Sequence, residues 1–363
     1  MNTDTTASRQ WATRPADERF TSLTDLHQFT SHQRSISAEG IVTNRQIEAV
    51  CDENDLHNGL RLRNSKGNEF EFTNWAFNQA CQRAGAPAGY LGDLPASLTA
   101  DLLNYGWHHA RNVEEMGALI RVNGSNEIAA LTGPNYGRVW NSEVTGKLVD
   151  LFGDGLTGDW RIPGEFGQRV PVTKQNTTLY ASDRDMFAFL ADEDRKIDIP
   201  DRRHGQPGSM ARGFYVWNSE VGSTSLGGGF FLMDYVCMNR IIWGQEQFNE
   251  IRLRHTKGAP DRWLEELVPV LTEFANSAPT DIVTTIEAAK QHKVAKATEW
   301  LAKRHTAKLA QKVEHAFEKA EGKPMETLWD ITTGLTELAK NYTHQDARIA
   351  LERDAGKILQ MAA

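Results

Sequence analysis

Cysteine is scarce in this chain: Cys51, Cys81 and Cys237 are widely spaced, odd in number and outside any CxxC pairing. That argues against a disulfide framework and against a thiolate zinc site. No uninterrupted apolar run approaches the roughly 20 residues of a membrane helix, so no membrane partner is expected. The first residues, MNTDTTASRQWATRPADERF, are polar and lack the apolar stretch of a secretory signal, and the expected location is the cytoplasm. Positive charge is also in deficit, with 40 Lys and Arg against 48 Asp and Glu and a net charge of −8. General attraction to nucleic acid or anionic lipid is therefore absent, and any nucleic-acid site must be a local basic patch on an acidic body.

Common enzyme signatures are missing as well. There is no GxxxxGK[ST] phosphate loop, no HExxH and no GxSxG, and the Gly227–Gly229 run lacks the strand-then-helix setting of a dinucleotide site. No cofactor and no catalytic residue is assigned on this basis. What the chain does have is the means to fold: 363 residues, 40% hydrophobic and 9% aromatic content, and ten tryptophans.

Periodicity divides the chain into three stretches. Residues 1–36 form a polar arm with one short helix, in which Leu23, Leu26 and Phe29 recur behind a cap at Thr21 or Ser22. Residues 37–258 carry the strands. A small antiparallel meander spans Ile41 to Phe72, and Thr73 caps a helix bearing Trp75, Ala76, Ala80 and Cys81. A second helix runs to about Tyr105, and strands GALIRV and EIAALTG flank the turn NGSN. The segments PVTKQNTTLYAS, MFAFLAD, GFYVWNSEV and GGGFFLMDYVCMNRIIW continue the strand character. Residues 259–363 read as helices, with Pro269 expected to kink or shorten the first and four more to follow. Segregated strands and helices make the expected class α+β: a mixed, largely antiparallel sheet core with packed helices and an all-helical C-terminal region.

The hexamer VWNSEV occurs twice, at Val139–Val144 and Val216–Val221. After the first copy TGKLVDLF has helical spacing, so Asn141 is expected as an N-cap with Glu143 in the first turn. After the second come GSTSLGGG residues, which suit a turn and an irregular or bulged strand. Little similarity extends beyond the hexamer, so the repeat reads as a coincidence, reinforced by the usefulness of a Trp-anchored turn, rather than as a duplication.

The surroundings of the second copy carry a resemblance. LYASDRDMFAFLADE, ARGFYVWNSEVGSTSLGGGFFLMDYVCMNRIIWG and IRLRHTKGAP resemble the phage-and-plasmid-like proteins grouped as domain of unknown function 932. TNWAFNQACQRAGAPAGYLGDLP and the tail METLWDITTGLTELAKN to HQDARIALERDAGKIL extend the similarity over most of the chain from about Trp11. The family blocks map onto Asn218, Ser219, Glu220 and Gly222, then Cys237 and Asn239, then Arg254, His255 and Thr256. The resemblance implies a mobile-element protein, often encoded near DNA-processing genes, and no established reaction.

Three groups of residues bear on chemistry. Asp183 and Asp185 in SDRDMF, with Glu220, form the best carboxylate set for magnesium-dependent phosphodiester cleavage. Read structurally, the same residues fix two turns, with Asp183 bonding backbone amides and Glu220 pairing with an arginine such as Arg184 or Arg212. Cys237 reads as a buried apolar residue rather than a nucleophile, and His255 as a structural or surface residue rather than an acid–base group. Basic residues collect at Arg252, Arg254, His255 and Lys257, and again at Lys290, Lys293, Lys296, Lys303, Arg304, Lys308 and Lys312. Arg304, Lys308 and Lys312 fall four apart, and exposed aromatics on a neighbouring sheet would let bases stack. Acidic neighbours Glu287, Glu299 and Glu314 support the competing reading of a solvated face. The leading expectation is a non-enzymatic, single-strand-preferring DNA-binding protein of a phage or plasmid, acting in replication, recombination or establishment in the host. The alternatives are a module that binds a host or phage protein, and a magnesium-dependent nuclease.

Overall fold

The computed structural model describes residues 15–52, 55, 59–109, 112–163, 171–203, 206–234, 239–243, 250–277, 280–342 and 345–362. In chain order the strands are β1 (Arg19–Phe20), β2 (Ser37–Thr43), β3 (Ile47–Cys51), β4 (Leu60–Asn64), β5 (Glu69–Phe72), β6 (Glu115–Asn123), β7 (Ser125–Thr132), β8 (Trp160–Arg161), β9 (Leu179–Ala181), β10 (Met186–Asp192), β11 (Ile197–Arg203), β12 (Gln206–Asn218), β13 (Leu226–Asp234), β14 (Asn239–Trp243) and β15 (Ile251–Leu253). The helices are α1 (Leu23–Ser35), α2 (Asn74–Ala84), α3 (Ala88–Gly92), α4 (Ala96–His109), α5 (Asn141–Phe152), α6 (Ala259–Glu266), α7 (Val268–Asn276), α8 (Thr280–Gln291), α9 (Ala297–Ala302), α10 (Ala307–Glu321), α11 (Leu328–Ala339) and α12 (Gln345–Gln360).

Local chemistry sets many of these boundaries. Ser22 Oγ accepts the Asp25 amide and opens α1, and Thr73 Oγ1 does the same for Ala76 at the start of α2. Thr327 and Asp330 close a reciprocal capping box on α11. Pro269 divides the helix expected there into α6 and α7. Five helices follow instead of four, because α9 is a separate short turn of helix.

The fold is α+β, built on two sheets. In the larger sheet β1, β9, β10, β12, β13 and β14 follow in order, with β8, β11 and β15 added at its margins, all antiparallel. The smaller sheet runs β2-β6-β7-β5-β4-β3 and is antiparallel except where β5 meets β7. The expected meander is therefore β3-β4-β5 alone, while β2 crosses over to pair with β6. The expected strand at PVTKQNTTLYAS shrinks to β9, since the residues before it form a turn in which Asn176 N and Thr177 N donate to the Thr173 carbonyl and Asn176 Oδ1 accepts from Thr173 N.

The glycine run was expected to bulge, yet β13 is a regular strand. Its register sets Gly227 opposite Trp217, Gly229 opposite Tyr215 and Phe231 opposite Gly213. Each ring lies over the facing glycine: a Cβ on Gly229 would stand 2.6 Å from the Tyr215 ring, and one on Gly213 2.2 Å from Phe231. The aromatic face formed by Tyr180, Phe187, Phe189, Tyr215, Trp217 and Phe231 is buried, so it is not the exposed stacking surface expected from the sequence. The opposite face packs under α1, α5, α6 and α7 through Leu23, Leu148, Phe214, Phe230, Trp263 and Phe274. Beyond α7 the helices share a core with the margin of the same sheet, where Ile197, Met210 and Leu232 meet Phe317, Leu335 and Ile358. Among the described residues no helix is long and apolar enough to cross a membrane.

Candidate functional site

The two hexamers meet in space. β12 ends at Asn218, whose Nδ2 donates to the Val139 carbonyl at 2.8 Å and to Asn141 Oδ1 at 2.9 Å. Asn141 is not the N-cap: that position is Trp140, which offers no side-chain cap. Glu220 from the second copy takes the role instead, its Oε1 accepting the Asn141 amide at 2.8 Å. A carboxylate at a helix N-terminus also suits the helix dipole. Its other oxygen accepts from Arg121 Nη2 at 3.1 Å, and the two side chains are only 2% and 7% exposed.

The turn after Glu220 is fixed from several sides. Gly222 has φ +82°, a conformation that glycine adopts without strain. The Val221 carbonyl accepts from Trp75 Nε1 and Gln79 Nε2, both at 2.9 Å, which ties the turn to α2. Tyr136 donates its hydroxyl to the Ser219 carbonyl at 2.6 Å, and Ser219 Oγ donates to the Arg184 carbonyl at 2.7 Å. Burial pushes the Tyr136 hydroxyl up, so it stays protonated and able to donate. The Tyr136 ring stacks on His255 with centroids 4.7 Å apart, and His255 shares backbone and ring hydrogen bonds with Gly137. Burial pushes the His255 imidazole down to about 4, so near neutral pH it is uncharged and donates from Nδ1 to the Gly137 carbonyl. Gly137 has no room for a side chain, since a Cβ would lie 1.9 Å from the Thr256 carbonyl oxygen. Asn218, Ser219, Glu220 and Gly222 thus converge with His255 and Thr256 around the loop at 133–140. Arg254 adjoins them through its carbonyl, which accepts from Thr256 N. Asn239 lies elsewhere, in β14 opposite Asp234, and Cys237 lies outside the described residues.

Beside this junction a cleft of about 390 Å³ opens between the sheets, with Arg121 in its wall and Asp17, Glu18, Glu127 and Asp183 around it. Burial raises the Glu127 carboxyl, with Arg121 opposing the shift and Asp183 adding to it. The SDRDMF turn does reach the second NSEV turn, because the Arg184 carbonyl also accepts from Ser223 Oγ at 3.0 Å. Its carboxylates do not follow. Asp183 is exposed, Asp185 is buried with Ser182 Oγ donating to it, and Glu220 faces Arg121. Two expected contacts are corrected here. Ser182 Oγ, not Asp183, accepts the turn amides of Arg184 and Asp185. Glu220 pairs with Arg121 rather than Arg184 or Arg212, because Arg212 is occupied by Asp192 and by carbonyls of Phe274, Ala275 and Ser277. Among the described residues no group of three His, Cys, Asp or Glu side chains is arranged to hold a metal ion.

The basic residues separate into paired and unpaired sets. Arg252 is bonded to Glu250, Lys290 to Glu287 and Lys296 to Glu299. Lys303, Lys308 and Lys312 are exposed and have no carboxylate partner among the described residues, and the same holds for Arg254, Lys257 and Lys293. Arg304 lies over the Trp300 ring with its guanidinium carbon 3.6 Å from the centroid. On α10 Ala310, Val313 and Phe317 point inward, so Lys308, Lys312, His315 and Lys319 fall on the opposite, solvent side. Glu314 is turned off that row, accepting from Thr298 Oγ1 at 2.5 Å. Arg254 and Lys257 do not join this row: they follow β15, which pairs with β13, whereas α10 packs on α9 and α11.

Sequence reasoning missed Arg121, Tyr136 and Glu127 at the junction, Arg138, whose guanidinium lies over the Tyr136 and Trp140 rings, and Lys319 on the helix. The repeated hexamer was the one signal that pointed to the junction, since its copies are bonded to each other. Comparison with curated proteins gives no match, and comparison with solved structures gives none. The family model described as Domain of unknown function (DUF932) matches residues 173–357, more than half of the chain, from before β9 into α12 and including the second hexamer, and the chain belongs to that family.

Proposed function

We propose that this chain is a non-enzymatic, single-strand-preferring DNA-binding protein of a phage or plasmid, acting in the cytoplasm in replication, recombination or establishment in the host. The observation that carries this reading is the row of Lys308, Lys312, His315 and Lys319 on the outer face of α10, continued by Lys303 and Arg304. Lys290, Lys296 and Lys340 of the same helical region are paired with carboxylates, whereas this row has no carboxylate partner among the described residues. Over eleven residues the row spans about 16 Å, enough to follow several phosphates of an extended strand. Arg304, laid over Trp300, presents the other face of its guanidinium to solvent, and such a plane accepts a stacked base. That platform supports a single-strand preference in place of the buried aromatic sheet face.

The test is fluorescence anisotropy of a labelled oligothymidylate and of a duplex over a salt series, in EDTA. Binding to the single strand is expected to weaken steeply with salt. The Lys308→Ala/Lys312→Ala variant is expected to lower the slope of log K against log salt by about 1.4, from two lost phosphate contacts on a single strand. Arg304→Ala is expected to narrow the preference over duplex. Absence of binding at low salt, or a slope unchanged in the double variant, would refute the proposal.

A further inference from the structure

β2 lies at one edge of the smaller sheet, paired with β6 over its whole length and with no strand on its other side among the described residues. Hydrogen bonds at its ends show which groups are left. Val122 N donates to the Ile36 carbonyl and Asn44 N to the Glu114 carbonyl. Antiparallel bonding alternates, so Ala38, Gly40 and Val42 bond to β6, and the N–H and C=O groups of Glu39 and Ile41 point outward. Thr43, next in that outward row, uses both of its groups: it donates to Gln46 Oε1 and accepts from Gln46 N, each at 2.9 Å. Among the described residues the backbones of Glu39 and Ile41 have no comparable partner, and Ile41 is 58% exposed.

The two edges of this sheet are treated differently. At the other edge Asn104 Oδ1 accepts Ala49 N at 2.7 Å and its Nδ2 donates to the Ala49 carbonyl at 2.8 Å, closing β3 as a neighbouring strand would. Among the described residues β2 has no such cover, and it carries no proline, lysine or bulge that would discourage pairing. Along its open side runs a cavity of about 460 Å³, bounded by β2 from Ala38 to Val42 and, across the gap, by Gln46 and the turn from Asn64 to Asn68. Leu62, Phe70, Ile120 and Ile128 form its apolar floor. Ala38 and Gly40 share the face of Ile120 and Ala118 opposite them, so a strand added outside β2 would send alternate side chains onto that floor. The Glu39 carboxylate is engaged by Arg138 at 2.6 Å. Lys66, exposed at the rim, has no carboxylate partner among the described residues.

We infer that β2 is a docking edge for an extended peptide segment of a partner protein, apolar at alternate positions and acidic where it passes Lys66. Outward main-chain groups of Glu39 and Ile41 supply affinity, and the apolar floor supplies selectivity for side chains, as in strand-addition complexes. This inference is independent of the basic row on α10.

The experiment uses the full chain and a synthetic seven-residue peptide alternating valine and threonine, blocked at both ends, with two glutamates appended at either terminus. Saturable binding is expected, with slowed hydrogen exchange at the Glu39 and Ile41 amides. A version N-methylated at alternate amides is expected to bind at least tenfold more weakly. Ile41→Pro removes one outward donor and no bond to β6, so it is expected to weaken binding at least tenfold with Tm retained. Should that variant fail to fold, Lys66→Glu, at an exposed position, is expected to weaken binding of the glutamate-bearing peptides alone. No binding of any of these peptides, or binding indifferent to N-methylation and to both substitutions, would overturn the inference. Protection of Glu39 and Ile41 that rises with protein concentration in the absence of peptide would also overturn it, by assigning the edge to a second copy of this chain.

Discussion

Glu220→Gln tests whether the junction of the two hexamers stabilises the fold by its charge or only by its shape. The substitution keeps the side-chain volume and leaves an oxygen able to accept the Asn141 amide, which lies 2.8 Å from Oε1. What it removes is the negative charge 3.1 Å from Arg121, whose side chain is 7% exposed and whose Nε has no hydrogen-bond partner. Leaving one charge of a buried pair uncompensated costs about 3–5 kcal/mol. Glu127, the register partner of Arg121 on the adjacent strand β7, also feels its charge and offsets part of that, so the lower end, about 3 kcal/mol, is expected. At about 2–4 °C per kcal/mol for chains somewhat shorter than this one, Tm should fall by about 5–10 °C. Calorimetry measures the shift directly, and Arg121→Met combined with Glu220→Leu completes the argument, because removing both charges should recover much of the loss. A Glu220→Gln protein within about 0.5 kcal/mol of the parent, the range of an ordinary surface change, would refute the reasoning.

Gly137→Ala forces a Cβ to within 1.9 Å of the Thr256 carbonyl oxygen, and because that contact is backbone the loop itself must move. A loss of at least 1–3 kcal/mol, roughly the range for overpacking, is expected, with faster hydrogen exchange at 133–140 and 254–256. Unchanged Tm and unchanged exchange would show that the two segments do not depend on each other. For His255 the folded value, lowered to about 4 by burial, lies below the ordinary 6.5, so the unfolded chain binds the proton first as pH falls. Its contribution to stability is complete above pH 6.5 and is lost between there and about pH 4. His255→Gln should therefore flatten the fall of Tm across that window, and an equally steep fall in the variant would assign the pH dependence to other groups.

Local signals were legible wherever neighbours in sequence are also neighbours in space. The caps at Ser22 and Thr73, the hairpin of β6 and β7, the break at Pro269 and the segregation of strands from helices could all be read from periodicity and turn chemistry. The basic row of α10 was partly legible for the same reason, since residues three or four apart share a helix face. The family, too, is a property of the sequence, carried by ordered blocks rather than by any one site.

Long-range partners were not legible. The hexamer is the sharpest case, because periodicity gives each copy a local role and says nothing of Asn141 and Glu220, 79 positions apart, being brought by the fold to a hydrogen bond. The glycines of β13 read as part of an irregular or bulged strand until the register laid Trp217 and Tyr215 over them. Which edge of the smaller sheet would stay open depended on β2 crossing to β6 and on Asn104 reaching β3. The sequence by itself determined the elements, their caps and the charge pattern on single helices, since those energies act within one or two turns of chain. Only the tertiary structure decided that Glu220 would face Arg121 rather than Arg184 or Arg212, that the aromatic face would be buried, and that β2 would keep amides unpaired among the described residues. Desolvation and strand pairing set those outcomes, and both depend on which distant segment occupies the neighbouring space.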